Sequence, residues 1–287
     1  MNEPIPSPTE PRPIPPGLYI VGTPIGNLAD LSPRARAVLA GVSLVAAEDT
    51  RTTANLFRDA PRRPRFVSLT EHNVSERIPA LLAMAADGAV ALVSDAGTPG
   101  IADPGARLVE AAHAAGIPVI AVPGPSALAA AISASGFDGS DVHFLGFLPR
   151  AAGERRSRLQ SAATGARTLV FFESPGRLAR TLDELAESLD DPEVVVCREL
   201  TKVHEEIRRG RASVLAAEFA GGTRGECTVV VRSPEREPGI ETARRLVAAM
   251  RRAGARRTAA AAEVARETGL ARAEVYGMWD EGAGGGP

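Results

Sequence analysis

The stretch AVALVSDAGTPGIADPGARLVEAAHAAGIPVIAV (89–122) contains the pattern on which the fold prediction rests. It begins with the apolar run AVALVS (89–94), passes through a turn rich in glycine and proline, and ends with a second apolar run, IPVIAV (117–122). Residues 104–115, between the two runs, have the length and spacing of a helix. A strand, a helix and a strand in this order predict a βαβ unit, in which both strands lie parallel in one sheet.

The same alternation extends along most of the chain. In the first half, the patterns predict further strands over 17–22, 42–47 and 65–69, and helices over 33–40, 50–57, 74–87 and 125–134. In the second half, they predict strands over 142–147, 167–172, 193–198 and 226–232, and helices over 152–163, 176–189 and 211–220. The second half is less regular, and we expect a mixed sheet there.

The length of 287 residues predicts two domains and a smaller appendage. We expect an N-terminal α/β domain over 17–135, a C-terminal α/β domain over 136–234, and a helical tail over 240–281. In the tail, Gly269 separates two short helices with the spacing of a helix-turn-helix. Residues 1–16 contain seven prolines, and we predict a disordered leader that is not a signal peptide.

Composition excludes several classes of protein. The formal net charge is -2, so a uniformly basic nucleic-acid-binding body is excluded and any such contact must come from local patches. Two cysteines, Cys197 and Cys227, cannot form a zinc site or a disulfide framework, and we expect buried thiols and no metal. No apolar run reaches the roughly 18–20 residues of a membrane span, so we expect a soluble cytoplasmic protein.

Several strands end in turns of glycine, proline and small residues. These turns are GTPIGNL (22–28), SDAGTPGIADPG (94–105), VPGPSA (122–127) and FESPGR (172–177). Parallel strands present their carboxyl ends at one edge of the sheet, so the turns predict a ligand cleft lined by backbone amides. Asp95 and Asp103 suit a ligand that has both a carboxylate and an ammonium group. Two alternatives stay open: the turns only initiate helices, and Asp95 only caps its turn.

The sequence contains neither a P-loop nor a dinucleotide fingerprint. It does contain, in this order, GTPIGNL, AEDTR (47–51), TEHN (70–73), SDAGTPGIADPG, PGPSA, FLGFLPR (144–150), FFESPGR (171–177) and CRELTKVHEE (197–206). With these motifs, residues 17 to 232 resemble the family of ribosomal RNA small-subunit methyltransferase I, within the tetrapyrrole-methylase-like superfamily.

The resemblance implies S-adenosylmethionine-dependent methylation of the ribose 2′-hydroxyl of a cytidine in the decoding region of small-subunit (16S) ribosomal RNA. It also implies a class III methyltransferase-like fold, in which two α/β domains hold the cofactor in a cleft between them, and a homodimer whose partner is the RNA or the assembled small subunit. The residues that it implies as cofactor contacts are Pro24, Ser94, Asp95, Ala96, Gly97, Thr98, Ile101, Ser126, Ala127, Phe172, Glu173, Leu200 and Thr201.

A ribose hydroxyl is a poor nucleophile until its proton begins to leave, so a nearby proton acceptor favours the reaction. The candidate acceptors in the N-terminal loops are Asp49, Glu48 and His72. Asp49 and Arg51 could also form an ion pair that orients the substrate. The alternatives are that Asp49 caps the helix that begins at Thr50, and that His72 is an ordinary surface histidine.

Two arginine clusters are candidate RNA-binding surfaces. The first, Arg150, Arg155, Arg156 and Arg158, follows the motif FLGFLP. The second lies in the tail, where we assign RNA contact to Arg251 and Arg252 among the six arginines between Arg244 and Arg257. The alternative for such runs is a solvated helix face. Tyr276 and Trp279 are predicted to pack the helical tail.

Two other functions compete with RNA methylation. The first is a tetrapyrrole or other small-molecule methylase of the same fold, which needs neither the arginine clusters nor the tail. The second is a DNA-binding regulator whose α/β body senses a ligand. It explains the tail but leaves the strand-end loops without a purpose.

Overall fold

The computed structural model describes residues 14–58, 63–163, 166–233 and 240–281. The described residues up to Ser233 form one compact unit that contains two five-stranded sheets, and the helices of 240–281 belong to a second unit. Most of the predicted leader (1–13) and the stretch before the tail (234–239) lie outside the described residues. The boundary predicted at residue 135 stays a prediction.

The first sheet is parallel throughout. Its strands are β1 (Gly17–Val21), β2 (Leu44–Ala47), β3 (Arg65–Ser68), β4 (Ala89–Val93) and β5 (Val119–Val122). They lie in the order β3-β2-β4-β1-β5. Every residue of β2 and β4 is buried, as expected of central strands covered by helices on both faces. The predicted α/β class is therefore confirmed.

Helices cover both faces of this sheet. They are α1 (Pro33–Gly41), α2 (Thr50–Ala54), α3 (Val74–Asp87), α4 (Gly105–Ala114) and α5 (Ala127–Ser135). The first begins as its sequence predicts, because Ser32 Oγ accepts a hydrogen bond from the Ala35 amide at 3.0 Å and Pro33 occupies the first turn.

The second sheet is mixed, as predicted. Its strands are β6 (Val142–Phe147), β7 (Thr168–Glu173), β8 (Glu193–Arg198), β9 (Glu206–Arg211) and β10 (Cys227–Arg232). They lie in the order β6-β7-β10-β8-β9, with only the β6–β7 pair parallel. The helices of this half are α6 (Ala152–Ala163), α7 (Leu178–Ser188) and α8 (Ala212–Phe219).

Helix α5 joins the two halves. Although it follows the last strand of the first sheet, its residue Ala131 is fully buried in a cluster with Val170, Val195 and Val230 of the second sheet. Ile25, from the loop after β1, belongs to the same cluster. This shared core explains why both sheets belong to one compact unit.

The second unit consists of α9 (Ile240–Arg252), α10 (Arg257–Thr268) and α11 (Arg272–Glu281). Gly269 ends α10 in the left-handed conformation, with φ 72°, which glycine adopts without steric cost. Trp279 packs against the small core, as predicted, whereas Tyr276 is exposed and lies beneath the guanidinium of Arg257 at 3.9 Å. Within the described ranges, none of the helices has the length and apolar character that a membrane crossing requires.

Two loops of the first sheet touch through their backbones. A Cβ atom added at Gly124 would lie 2.6 Å from the carbonyl oxygen of Gly22, and one added at Gly22 would lie 2.7 Å from the Gly124 Cα. The Gly22 amide also donates to the Val122 carbonyl at 3.0 Å. Only glycine fits at both positions, so these residues set the spacing of the loops that follow β1 and β5.

We expect Gly124→Ala to lower the free energy of unfolding by about 1–3 kcal/mol, because the new methyl group overlaps backbone atoms that cannot rotate away. The matched control is Gly153→Ala in α6, where the added Cβ meets open space. There, alanine raises the free energy of unfolding by about 0.5–1 kcal/mol through its better helix propensity. Urea unfolding measures both changes, and equal stability of wild type and Gly124→Ala contradicts the backbone contact.

Candidate functional site

A cavity of about 410 Å³ opens where the carboxyl ends of the first sheet face the second sheet. Its volume lies within the range of small-molecule sites. One wall comes from the loops after β1, β2, β4 and β5, and the other from β6, β7 and the start of β10. The lining residues are Ile25, Glu48, Ser94, Asp95, Ala96, Gly97, Thr98, Ile101, Ala102, Asp103, Ser126, Ala127, Phe147, Phe172, Glu173, Ser174, Pro175, Gly225, Glu226, Cys227 and Thr228.

Backbone and hydroxyl contacts hold the loop after β4 against its neighbours. Thr23 and Gly97 exchange two backbone hydrogen bonds, of 2.8 and 3.1 Å. The Thr98 hydroxyl donates to the Pro125 carbonyl at 3.0 Å, which ties this loop to the loop after β5. Three separate turns therefore form one continuous wall.

Most of the residues predicted to contact the cofactor line this cavity, namely Ser94, Asp95, Ala96, Gly97, Thr98, Ile101, Ser126, Ala127, Phe172 and Glu173. Pro24, Leu200 and Thr201 are not among the lining residues. Pro24 follows Thr23, and Leu200 is buried in the cluster that α5 shares with the second sheet. The contacts of all these residues with a cofactor stay predictions.

Three carboxylates face the cavity from the first sheet. Asp95 Oδ1 accepts a hydrogen bond from the Asp49 amide at 2.8 Å, and Asp103 accepts from the amides of Gly100 and Gly105, both at 2.7 Å. Within the described ranges, the Glu48 carboxylate accepts no hydrogen bond. Partial burial, together with the negative charges of Asp95, Asp103 and Glu71, raises the pKa of Glu48.

Asp49 and Arg51 form the predicted ion pair. The Arg51 guanidinium donates to both carboxylate oxygens of Asp49, at 3.1 and 2.8 Å. Asp49 Oδ1 also accepts from the Arg51 amide at 2.8 Å, so it caps α2 as well. These hydrogen bonds lower the pKa of Asp49 to about 2, which makes it a weak proton acceptor. His72 is exposed and is not among the lining residues.

Glu173 lines the cavity with a carboxylate whose oxygens are already engaged. Oε1 accepts from the Ser174 amide at 2.7 Å, Oε2 accepts from the Thr181 hydroxyl at 2.8 Å, and Arg177 Nε lies 3.2 Å from Oε1. The side chain is buried, so these partners compensate its desolvation. Glu173 therefore anchors the loop after β7.

Sequence reasoning missed part of the second wall. Phe147 faces the cavity, but its motif FLGFLPR does not show which of its side chains would do so. Gly225–Thr228 lie at the start of β10, which reaches the cavity only because β10 runs antiparallel to β7. No sequence motif marks this segment. Burial raises the pKa of the Cys227 thiol to about 11, so this lining group is neutral at physiological pH.

The prediction that Arg155 contacts RNA is wrong. Its side chain is only 2% exposed and donates two hydrogen bonds, of 2.6 and 2.5 Å, to the carboxylate of Glu184, which is also buried. Its Nη1 also donates hydrogen bonds to the carbonyls of Pro149 and Arg150. A guanidinium with these partners has no face left for a phosphate. Its function is to fix the chain after β6.

The other arginines of the predicted RNA-binding surfaces have different environments. Arg150, Arg156 and Arg158 are exposed, although Arg156 pairs with Glu187 and Arg158 donates to the Leu145 carbonyl. In the tail, Arg252 is exposed, whereas Arg251 is half-buried and donates to the Trp279 carbonyl. Their contact with RNA stays a prediction. Among the described residues, no group of three or more His, Cys, Asp or Glu side chains is arranged to hold a metal ion.

The chain is similar to known methyltransferases in sequence. Residues 17–216 match the model of the tetrapyrrole (corrin/porphyrin) methylases. A protein of Mesorhizobium japonicum named ribosomal RNA small subunit methyltransferase I is 45% identical over 228 residues, 78% of either chain. The protein of the same name from Thermotoga maritima is 46% identical over 220 residues, which are 76% of this chain and 99% of the relative.

Solved structures share the fold. Cobalt precorrin-4 methyltransferase superposes with a TM-score of 0.56 at 17% identity, over 75% of this chain and 94% of the other. Uroporphyrin-III C-methyltransferase from Thermus thermophilus, complexed with S-adenosylhomocysteine, gives a TM-score of 0.54 at 22% identity, over 75% and 97%. The two-sheet architecture is therefore that of the tetrapyrrole methylases, which confirms the predicted fold class.

We expect Arg155→Ala to lower the free energy of unfolding by about 3–5 kcal/mol, because it leaves the buried Glu184 carboxylate without its main partner. Arg156→Ala, one residue along, removes only the exposed pair with Glu187 and lowers it by about 0–1 kcal/mol. Urea unfolding of the two variants compares a buried with an exposed arginine on one helix. Similar losses in both variants contradict the structural role of Arg155.

Proposed function

Because the chain belongs to the tetrapyrrole (corrin/porphyrin) methylase family and, within it, to ribosomal RNA small subunit methyltransferase I, we propose that it methylates the ribose 2′-hydroxyl of a cytidine in the decoding region of small-subunit (16S) ribosomal RNA. The enzyme is an S-adenosylmethionine-dependent methyltransferase. We further propose that it acts as a cytoplasmic homodimer. The single observation that supports the site assignment is the cavity in which loops from both sheets meet three carboxylates.

The lining residues fit S-adenosylmethionine, which supplies an electrophilic methyl group on a sulfonium centre. The carboxylates of Glu48, Asp95 and Asp103 make the first wall negative, and this charge complements a ligand with ammonium and sulfonium groups. On the opposite wall, Phe172 offers an apolar surface of the kind that an adenine ring contacts. A phosphate ligand would meet this negative wall unfavourably.

The acceptor hydroxyl needs a group that takes its proton as the new O–C bond forms. Asp49 is poorly suited, because its carboxylate is engaged by Arg51 and its pKa is about 2. Glu48, the next residue along the chain, lines the cavity, and its raised pKa makes it the better base. We therefore assign proton acceptance to Glu48, and to Asp49 the positioning of the loop through its amide contact with Asp95.

Charged groups outside the cavity are the proposed contacts of the substrate. Arg150, Arg156 and Arg158 are exposed on the segment that follows the cavity wall, and they can meet phosphates of a folded RNA. A porphyrinoid acceptor needs no such surface. These side chains, together with the names of the relatives, favour RNA over a tetrapyrrole as the acceptor.

The first test measures cofactor binding by calorimetry with S-adenosylhomocysteine. We expect wild type to bind, and Asp95→Ala to bind at least about tenfold more weakly, since a charged hydrogen-bonding group is lost from the cavity wall. Asp183→Ala removes an exposed aspartate from α7 and should bind as wild type does. If wild type does not bind S-adenosylhomocysteine at high micromolar concentration, every form of the proposal that includes methyl transfer is overturned.

The second test identifies the methylated atom. Small ribosomal subunits and naked ribosomal RNA are incubated with methyl-labelled cofactor, and the product is digested to nucleosides. We expect 2′-O-methylcytidine and a phosphodiester that resists alkali at the modified position, because alkaline cleavage requires the free 2′-hydroxyl. Label on a base contradicts ribose methylation. Label on a tetrapyrrole but not on RNA supports the small-molecule methylase instead.

The third test concerns the group that accepts the proton of the ribose hydroxyl. We expect Glu48→Gln to lower the single-turnover methylation rate by about 10²-fold or more and to abolish the rise of that rate with pH, because only the carboxylate accepts a proton. Glu71→Gln removes a negative neighbour of Glu48 and should shift the rise to lower pH without abolishing it. A pH profile of Glu48→Gln parallel to that of wild type contradicts the assignment.

The unfolding temperature of Glu48→Gln provides the control for that prediction. Burial and neighbouring carboxylates raise the folded-state pKa of Glu48 above its unfolded value. Any stability that this residue contributes is therefore present below the unfolded pKa and is lost as the pH rises through the folded pKa. At neutral pH, Glu48→Gln should unfold at the same temperature as wild type or a higher one, so a loss of activity does not come from unfolding.

A further inference from the structure

Phe147 is a large apolar side chain that the fold leaves exposed. The residue is 64% accessible, although it lines the cavity and two nearby leucines, Leu145 and Leu148, are each 3% accessible. An exposed phenylalanine forgoes most of the stabilisation that burial of its ring would give, so its position at a cavity mouth indicates a surface that a ligand covers.

The backbone before Phe147 directs the ring outward. Between Phe144 and Phe147, the pairing of β6 with β7 shifts register, and Gly146 adopts φ 63°. A bulge of this kind breaks the alternation of the strand and re-aims the next side chain. The outward direction of Phe147 therefore follows from the geometry of the strand end.

One neighbour supports the ring. Phe172 contacts Phe147 with centroids 5.5 Å apart and planes at 59°, and Phe144 contacts Phe172 with centroids 5.1 Å apart. These are favourable aromatic geometries. The Phe147 ring is thus held in place while most of its surface stays open.

Two arginines, the half-buried Arg177 and the buried Arg155, hold the chain that follows. Arg177 donates to the carbonyls of Leu148 and Pro149, at 3.1 and 3.0 Å, and Arg155 donates to those of Pro149 and Arg150, at 3.0 and 2.9 Å. Arg155 is fixed in turn by Glu184. Because the chain beside Phe147 is already held in place, it loses less conformational entropy when a ligand binds there.

We propose that Phe147 is the platform on which a base of the RNA substrate stacks when its ribose enters the cavity. This inference rests on the proposed function and identifies the binding site for the nucleobase. Single-stranded RNA bases stack readily on aromatic side chains, and such a contact tolerates any base because each has a π-face.

Two observations favour a base of the RNA over the adenine of the cofactor. Phe172, in the same wall, is less exposed than Phe147 and already offers an apolar contact for the cofactor. Phe147 lies farther out and is followed after two residues by the exposed Arg150, which suits the phosphate of a polynucleotide. The cofactor has no phosphate.

The test compares Phe147→Ala, Phe147→Leu and Phe147→Trp with Val214→Ala, which truncates a 60% exposed valine on α8 outside the cavity lining. We measure kcat/KM for methylation of small ribosomal subunits, and the affinity for S-adenosylhomocysteine by calorimetry. The platform predicts a loss of about tenfold or more in kcat/KM for the alanine and leucine variants. It also predicts values within about threefold of wild type for tryptophan and for Val214→Ala, and unchanged cofactor affinity in all.

Each other outcome overturns the platform in a recognisable way. Weaker binding of S-adenosylhomocysteine by Phe147→Ala, in proportion to its loss of activity, means that the ring contacts the cofactor. Full activity of the leucine variant means that an apolar contact suffices without stacking, and full activity of the alanine variant means no contact at all. If wild type binds S-adenosylhomocysteine but methylates no ribosomal RNA, the proposed function fails, and the platform fails with it.

Discussion

The site depends on close contact between loops at the edge of the parallel sheet. Gly22 and Gly124 approach within a distance that excludes any Cβ, and Thr23 pairs with Gly97 through two backbone hydrogen bonds. The loops thereby satisfy part of their own polar backbone, as buried amides and carbonyls require. Backbone rather than side chains makes these contacts, and backbone amides also hold two carboxylates of the wall, those of Asp95 and Asp103.

Fixed carboxylates have an electrostatic consequence. Partial burial raises the pKa of Glu48, and the charges of Asp95 and Asp103, which backbone amides hold nearby, raise it further. Arg51, by contrast, neutralises Asp49 next to it. Adjacent acids in the chain therefore have opposite properties, and environment alone separates a proton acceptor from a positioning group. On the opposite wall, Glu173 is compensated by its own partners, and Glu226 pairs with Lys202 at 3.0 Å.

Much of the fold could be predicted because apolar runs and glycine-proline turns report directly on buried parallel strands. Strand β9 was missed, since EIRRGR is an exposed edge strand without an apolar face. Arg155 was misassigned because a charge run on a helix usually marks a solvated face. Its spacing contained the opposite signal: Arg155 lies four residues before Leu159 and seven before Ala162, on the apolar face of α6. Phe147 could not be predicted, because its direction depends on a bulge that sequence alone does not reveal.

The cavity and the helical tail belong to different units of the chain. The Thermotoga maritima relative is matched over 99% of its length by 220 aligned residues, too few to cover both the unit that ends at Ser233 and the three helices after it. All the cavity-lining residues belong to the first unit, so the proposed chemistry needs no residue of the tail. Arginine contacts with phosphates add affinity without specifying the reacting atom. We therefore propose that the tail adds affinity for RNA, whereas the rim of the cavity selects the ribose that reacts.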